Sequence, residues 1–173
     1  HVWSKRFGDG ANQYGYDASI AMNDDIVIAG HFGGALDFGG GAINSSGNTD
    51  VFLARLDKDG NPQWSKRLGA NDAQQARRVD VGPNDEIVVA GYFRSSIDFG
   101  LGSLPSSGDF DAYAAVFDGK GVPQWAKRFG DGADQRIYGI AFDSKGDLAM
   151  AGRHYGSIDL GGGNITSNGA RDV

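Results

Sequence analysis

Residues 1–10 read HVWSKRFGDG, residues 62–71 read PQWSKRLGAN and residues 123–132 read PQWAKRFGDG. Trp3, Trp64 and Trp125 stand 61 residues apart, and the copies align from there without a gap. Lys5, Lys66 and Lys127 coincide, followed by Arg6, Arg67 and Arg128 and then Gly8, Gly69 and Gly130. Further along, Gln13, Gln74 and Gln135 match, as do Asp37, Asp98 and Asp159, Gly47, Gly108 and Gly169, and Asp50, Asp111 and Asp172. Agreement at so many positions in one register marks an internal repeat, whose units bury their apolar faces against one another.

Each copy carries four strand-like runs. In the middle copy they are ARRVDVG, DEIVVAGYF, DAYAAVFD and PQWAKRF, each of strand length and bounded by Gly, Asn, Asp or Pro. MNDD, GPND and DSKG connect the first run to the second, and DKDGNP or DGKGVP connects the third to the fourth. Such stretches supply hairpin turns, because Asn, Asp and Gly tolerate positive φ. Ile26, Val27, Ile28 and Ala29 are apolar without alternation, which predicts a strand covered on both faces.

Composition agrees. Glycine accounts for 29 of the 173 residues and proline for 4, which suits short strands and tight turns. No cysteine is present, so disulfides are excluded. A net charge of -6 with scattered Lys and Arg argues against nucleic acid and anionic membranes as partners. No apolar run approaches the roughly 20 residues that span a bilayer as a helix.

Four antiparallel strands per unit, repeated and stacked face to face, predict an all-β fold: a β-propeller of 61-residue four-stranded blades. The chain reads as one propeller segment over residues 1–173. Residues 1–8 are expected to form the outer strand of a preceding or shared blade, residues 9–69 and 70–130 two whole blades, and residues 131–173 a partial one. Rings of this kind need about 4–8 blades. Closure therefore calls either for further blades of a longer parent chain or for an identical chain completing the ring. The longer parent is expected, since a self-assembling unit should hold every strand.

The pattern W-x-K-R-F-G, I-x-V-A-G-x-F, I-D-F-G-G-G and D-x-F-x-A-x-L-D-x-x-G-x-P-x-W resembles the SBBP family of bacterial β-propeller repeats. The resemblance covers all three copies, including IVIAGHFGGALDFGGG and TDVFLARLDKDGNPQW. It implies a large secreted or cell-surface bacterial protein. It carries over no catalytic residue.

Asp50, Asp111 and Asp172 each follow a glycine-containing loop and open a strand, where a carboxylate ties down backbone N–H groups or pairs with a cation. Lys5, Lys66 and Lys127 share a strand face with the tryptophans, so a Lys–Asp pair covered by Trp is expected. Asp57–Asn61, DKDGN, is similar to the start of a calcium loop but lacks the distal glutamate, and a hairpin turn explains it better. Asp9 with Asn12, or Asp131 with Asp134, leaves calcium as the one weak cofactor possibility, and Ala70 breaks that pattern in the middle copy. No metal site is assigned.

The histidines His1, His31 and His154 have no metal spacing, and no nucleophile elbow is present. The chain reads as a non-enzyme. The expected function is an interaction or scaffold module presenting the loops of one propeller face to protein or carbohydrate. Gln13, Gln74 and Gln135 could bond a sugar or peptide, or could anchor their own loops. His31, Tyr92 and Arg153 vary at one repeat position and could distinguish the blades. The rival readings are a lectin with one equivalent sugar pocket per blade and an enzyme framed by the propeller.

Overall fold

A computed structural model describes residues His1–Val173. The all-β reading holds, with sixteen strands and no helix. The first unit comprises β1 (Gln13–Ile20), β2 (Ile26–Phe32), β3 (Ala35–Asp37), β4 (Ala42–Asn44), β5 (Asp50–Leu56) and β6 (Pro62–Leu68). The second repeats it with β7 (Gln74–Val81), β8 (Ile87–Phe93), β9 (Ser96–Asp98), β10 (Ser103–Pro105), β11 (Asp111–Phe117) and β12 (Pro123–Phe129). The third holds β13 (Gln135–Phe142), β14 (Leu148–His154), β15 (Ser157–Asp159) and β16 (Asn164–Thr166).

Strands pair antiparallel in the orders β1-β2-β5-β6 and β7-β8-β11-β12, giving two four-stranded sheets of the same topology. In the third unit β13 pairs with β14 alone. Asp172 meets His154 in an isolated antiparallel bridge, the register in which Asp50 meets Phe32 and Asp111 meets Phe93.

Each unit also contains a short hairpin that the sequence pattern did not announce: β3-β4, β9-β10 and β15-β16. Four strands per unit is therefore an undercount for the first two units. Three-residue strands are too short to display an alternation. Their turns depend on the recurring aspartates: Asp37 Oδ1 accepts the N–H groups of Gly39 and Gly41, and Asp98 and Asp159 do the same for their own glycines. Gly39 and Gly41 have φ of 105° and 113°, which a side chain would disfavour.

The sheets pack face to face. Val27, Ala29, Val51 and Leu53 of the first sheet share a core with Ala76, Val79, Val89, Phe93 and Tyr113 of the second. Ala90, Ala112, Ala114 and Phe129 on the opposite face of the second sheet meet Ile137, with Ile140 and Met150 beside them. Strands β5, β8 and β11 are buried along their whole length, as apolar runs without alternation require.

The first strands of neighbouring units lie side by side. Asp17 Oδ2 accepts the Val79 N–H at 3.1 Å, Ser19 Oγ accepts the Val81 N–H at 3.2 Å and Asp80 Oδ2 accepts the Phe142 N–H at 2.8 Å. Side chains of one unit thus satisfy edge groups of the next, which would otherwise need a strand.

Residues 1–8 form no strand. No other segment of this chain pairs with their backbone. Their side chains nonetheless repeat the outer-strand contacts: Trp3 Nε1 donates to the Lys58 carbonyl at 2.8 Å, as Trp64 Nε1 donates to Gly119, one repeat on, at 3.1 Å. Trp3 and Phe7 cover the far face of the first sheet, built from Phe32, Leu36, Phe38 and Phe52.

Candidate functional site

The recurring aspartates are loop anchors. Asp50 and Asp111 are fully buried, and their Oδ2 atoms accept the N–H groups of Ser46 and Ser107 at 2.6 and 2.7 Å. Asp172 does likewise for Asn168 at 2.6 Å. The cation beside them corrects the expected Lys–Asp pair: it is arginine, with Arg67 Nη1 at 3.3 Å from Asp50 and Arg128 Nη1 at 2.8 Å from Asp111. Alternation explains this. Phe52 stands opposite Arg67, and Leu53 opposite Lys66, so Arg67 shares the face of Asp50 and Lys66 does not. Lys5 instead donates to the Gly60 carbonyl at 2.7 Å, and Lys127 is exposed.

Gln74 and Gln135 are fully buried. Gln135 Nε2 donates to Asp131 at 2.7 Å and to the Tyr155 carbonyl at 2.9 Å, Gln74 Nε2 to the Ser96 carbonyl at 3.0 Å, and Gln13 Nε2 to Asp9 at 2.6 Å. Each repeated glutamine thus anchors its own loop through Nε2, one of the two roles expected of it, while Gln135 Oε1 has no partner. A Cβ at Gly130 would lie 2.4 Å from both Asp111 Oδ1 and Gln135 Oε1, so the glycine after each Arg-Phe or Arg-Leu leaves room for this crossing of anchors.

The acidic loops are likewise self-occupied. Asp57 Oδ1 accepts the N–H groups of Asp59 and Asn61 in the β5–β6 hairpin. Asp131 accepts those of Ala133 and Ser157. Although burial pushes the Asp131 carboxyl up, these amides and Gln135 hold it below the usual aspartate value.

His31, Tyr92 and Arg153 come together with residues that the pattern did not single out. Strands β1, β7 and β13 each contain a bulge against their neighbour, between Gly15 and Asp17, between Ala76 and Arg78, and between Ile137 and Gly139. The extra residue is Tyr16, Arg77 or Tyr138, and a bulge re-aims such a side chain. From these positions a ladder of rings and guanidinium groups crosses all three units. Tyr16 stacks on His31 with centroids 5.0 Å apart, and Tyr14 lies 5.1 Å from the same imidazole. Arg77 sits 4.2 Å over the Tyr16 ring and 5.1 Å over Tyr92. Arg136 sits 4.5 Å over Tyr92 and 4.7 Å over Phe110, and Arg153 lies 5.7 Å over Tyr138.

Burial divides the ladder. His31 and Tyr92 are its buried rungs, whereas Tyr14, Tyr16 and Tyr138 are 47%, 37% and 38% exposed. Arg136 and Arg153 share one carboxylate, Asp134, at 2.7 and 3.4 Å. Arg77 has none: it bonds Tyr92 Oη and Gln75 Oε1. Burial, and then the Arg77 charge, lowers the His31 pKa to about 4, so His31 is a neutral stacking ring at neutral pH. The signal for the missed members was available. Tyr16, Arg77 and Tyr138 each lie three residues after the repeated glutamine.

No family model matches this chain. Over 143 residues it is 29% identical to the regulatory protein FlaEY of Caulobacter vibrioides, a match that takes in 80% of this chain. The matched region is 15% of the length of that protein.

Proposed function

We propose that this chain is a run of SBBP-type β-propeller blades, the last of them partial, and that it serves as a non-enzymatic interaction module of a secreted or surface bacterial protein. The order β1-β2-β5-β6 and its repeat, the stacked faces and the side-by-side first strands support the blade reading. A match to 15% of a much longer protein supports a longer parent.

The third unit supports the same reading. Its β14 has an edge free of any strand apart from the His154–Asp172 bridge, and a cleft of about 200 Å³ beside it is lined by Phe129, Ile137, Met150, Ile158 and Leu160. One repeat earlier, Phe99, Ile97 and Val89 occupy the positions of Leu160, Ile158 and Met150, and β11 covers them with Tyr113 and Phe117. A third strand of the same pattern as β5 and β11 fits this edge, in the register that the Asp172–His154 bridge already sets.

The ladder is the contact surface, and one observation carries that assignment: the same bulge in three successive units lines up Tyr16, Arg77 and Tyr138 with tyrosine faces open to solvent. The rival lectin, with one pocket per blade on the repeated glutamines, has less support, because each glutamine Nε2 already bonds its own loop. Binding of the chain to a mixed array of glycans and peptides tests the assignment. A ligand class held by the native chain and lost by about tenfold or more in Tyr16→Ala with Arg77→Ala is expected. Binding unaffected by the pair of substitutions, or no binding to either kind of probe, overturns it.

A further inference from the structure

We infer that the ladder takes an acidic polysaccharide, a chain of sugar rings bearing carboxylates. The inference rests on the ladder being a contact surface and adds the chemistry of what it contacts.

Charge comes first. The protein carries a net charge of -6, yet Arg77, Arg136 and Arg153 face a single paired carboxylate, Asp134. Arg77 spends Nε and Nη2 on Tyr92 and Gln75, leaving Nη1 without a hydrogen bond. A guanidinium held by its neighbours with one side free is preorganised for a carboxylate, and losing little side-chain freedom on binding favours it further.

The rings set the second condition. Tyr14, Tyr16 and Tyr138 expose flat apolar faces with a hydroxyl at the rim, a surface for the apolar face of a sugar ring with a bonding group beside it. Their neighbours are cations stacked against rings, so apolar and ionic contacts alternate along the strip. The strip also runs across three units and is built mainly from three repeat positions, those of Tyr14, Tyr16 and His31. A linear ligand with its own repeat can engage it at several points, gaining affinity from each.

An extended acidic peptide fits less well. One way to hold an extended peptide is to add it to a free strand edge; the other, an arginine cluster on an acidic motif, is tested with polyglutamate. On the strands that bear the ladder, the edge groups at Val79, Val81 and Phe142 are already taken by Asp17, Ser19 and Asp80. A polysaccharide needs no backbone edge.

Titration calorimetry of the whole chain with polygalacturonate, its methyl ester, neutral dextran and polyglutamate tests the inference. Polygalacturonate is expected to bind. The affinity should fall by about tenfold with the methyl ester, with Arg77→Gln and separately with Tyr16→Ala. It should also fall as salt rises from about 0.1 to 1 M and the Debye length shrinks from about 10 to 3 Å. Circular dichroism checks the fold of each variant, and Tyr16→Ala, at an exposed ring, keeps the test valid if Arg77→Gln disturbs the bulge. Dextran or the methyl ester binding as tightly as polygalacturonate overturns the charge requirement. Polyglutamate binding tightly with the same dependence on Arg77 overturns the sugar while leaving the ladder as the contact surface. If none of the four binds, the inference falls, and the array alone then decides whether the ladder is a contact surface.

Discussion

The second and third units share a sequence pattern and a register, yet one is a core and the other a surface. Strand β8, IVVAGYF, is buried at every residue, flanked by β7 and β11 within its sheet and by neighbouring units on both faces. Strand β14, LAMAGRH, one repeat later, alternates between half-buried and exposed residues over Leu148 to Ala151, and only its last residue, His154, is buried. The difference teaches that burial here is a property of stacking. A unit that reads as apolar acquires an interior only when the next one covers it.

Ile97 and Ile158 give the sharpest way to break that comparison, since the same residue occupies the same repeat position. Ile97 is fully buried, Ile158 only partly so. Ile97→Ala is expected to cost about 3 kcal/mol and Ile158→Ala less than about half as much. Urea unfolding of the two variants measures both, and equal costs would contradict the role given to stacking.

The first and second units differ at the ladder, where His31 is matched by Tyr92. Burial and Arg77 lower the His31 pKa from 6.5 to about 4, so the unfolded chain takes up a proton that the folded one refuses. Stability present above pH 6.5 is lost as pH falls toward 4, by roughly 2–3 kcal/mol in all. His31→Tyr, which copies the second unit, should flatten the slope of unfolding free energy between neutral and mildly acidic pH. An unchanged slope would move the titration elsewhere.

Smaller effects separate the anchors. Asp111 is fully buried between Arg128 and the Ser107 amide, whereas Asp172 is half-buried with the Asn168 amide alone. Asp111→Asn is expected to cost about 2 kcal/mol and Asp172→Asn under about 1 kcal/mol, read by thermal unfolding. The tryptophans give a similar contrast: Trp64→Phe removes the bond to Gly119 and should cost about 1 kcal/mol. Trp125 has no such partner and is 36% exposed, so Trp125→Phe should stay within about 0.5 kcal/mol. Native fluorescence that is quenched by acrylamide mainly at Trp125 would agree.

Much of the fold was legible because repetition makes the evidence add up. Each strand run was weak alone, but three copies at one spacing put Asp50, Asp111 and Asp172 at the same place in the sheet, and the structure finds them there. The short hairpins were not legible, because three residues carry no period. Identity of the anchoring cation was misread for a related reason. Lys66 and Arg67 are adjacent in sequence, and only the register of β5 against β6 decides which of them shares a face with Asp50.

By itself the sequence determined the repeat, the all-β class, the turns built on Asp, Asn and Gly, and the acidic balance, since these depend on residue type and spacing along the chain. Tertiary structure alone decided that Gln74 and Gln135 are buried anchors and that bulges turn Tyr16, Arg77 and Tyr138 onto one strip. The physical reason is that a bulge, a shared face and a covering neighbour each arise between strands far apart in sequence, where pairing register and stacking, not local preference, set which side chain meets which.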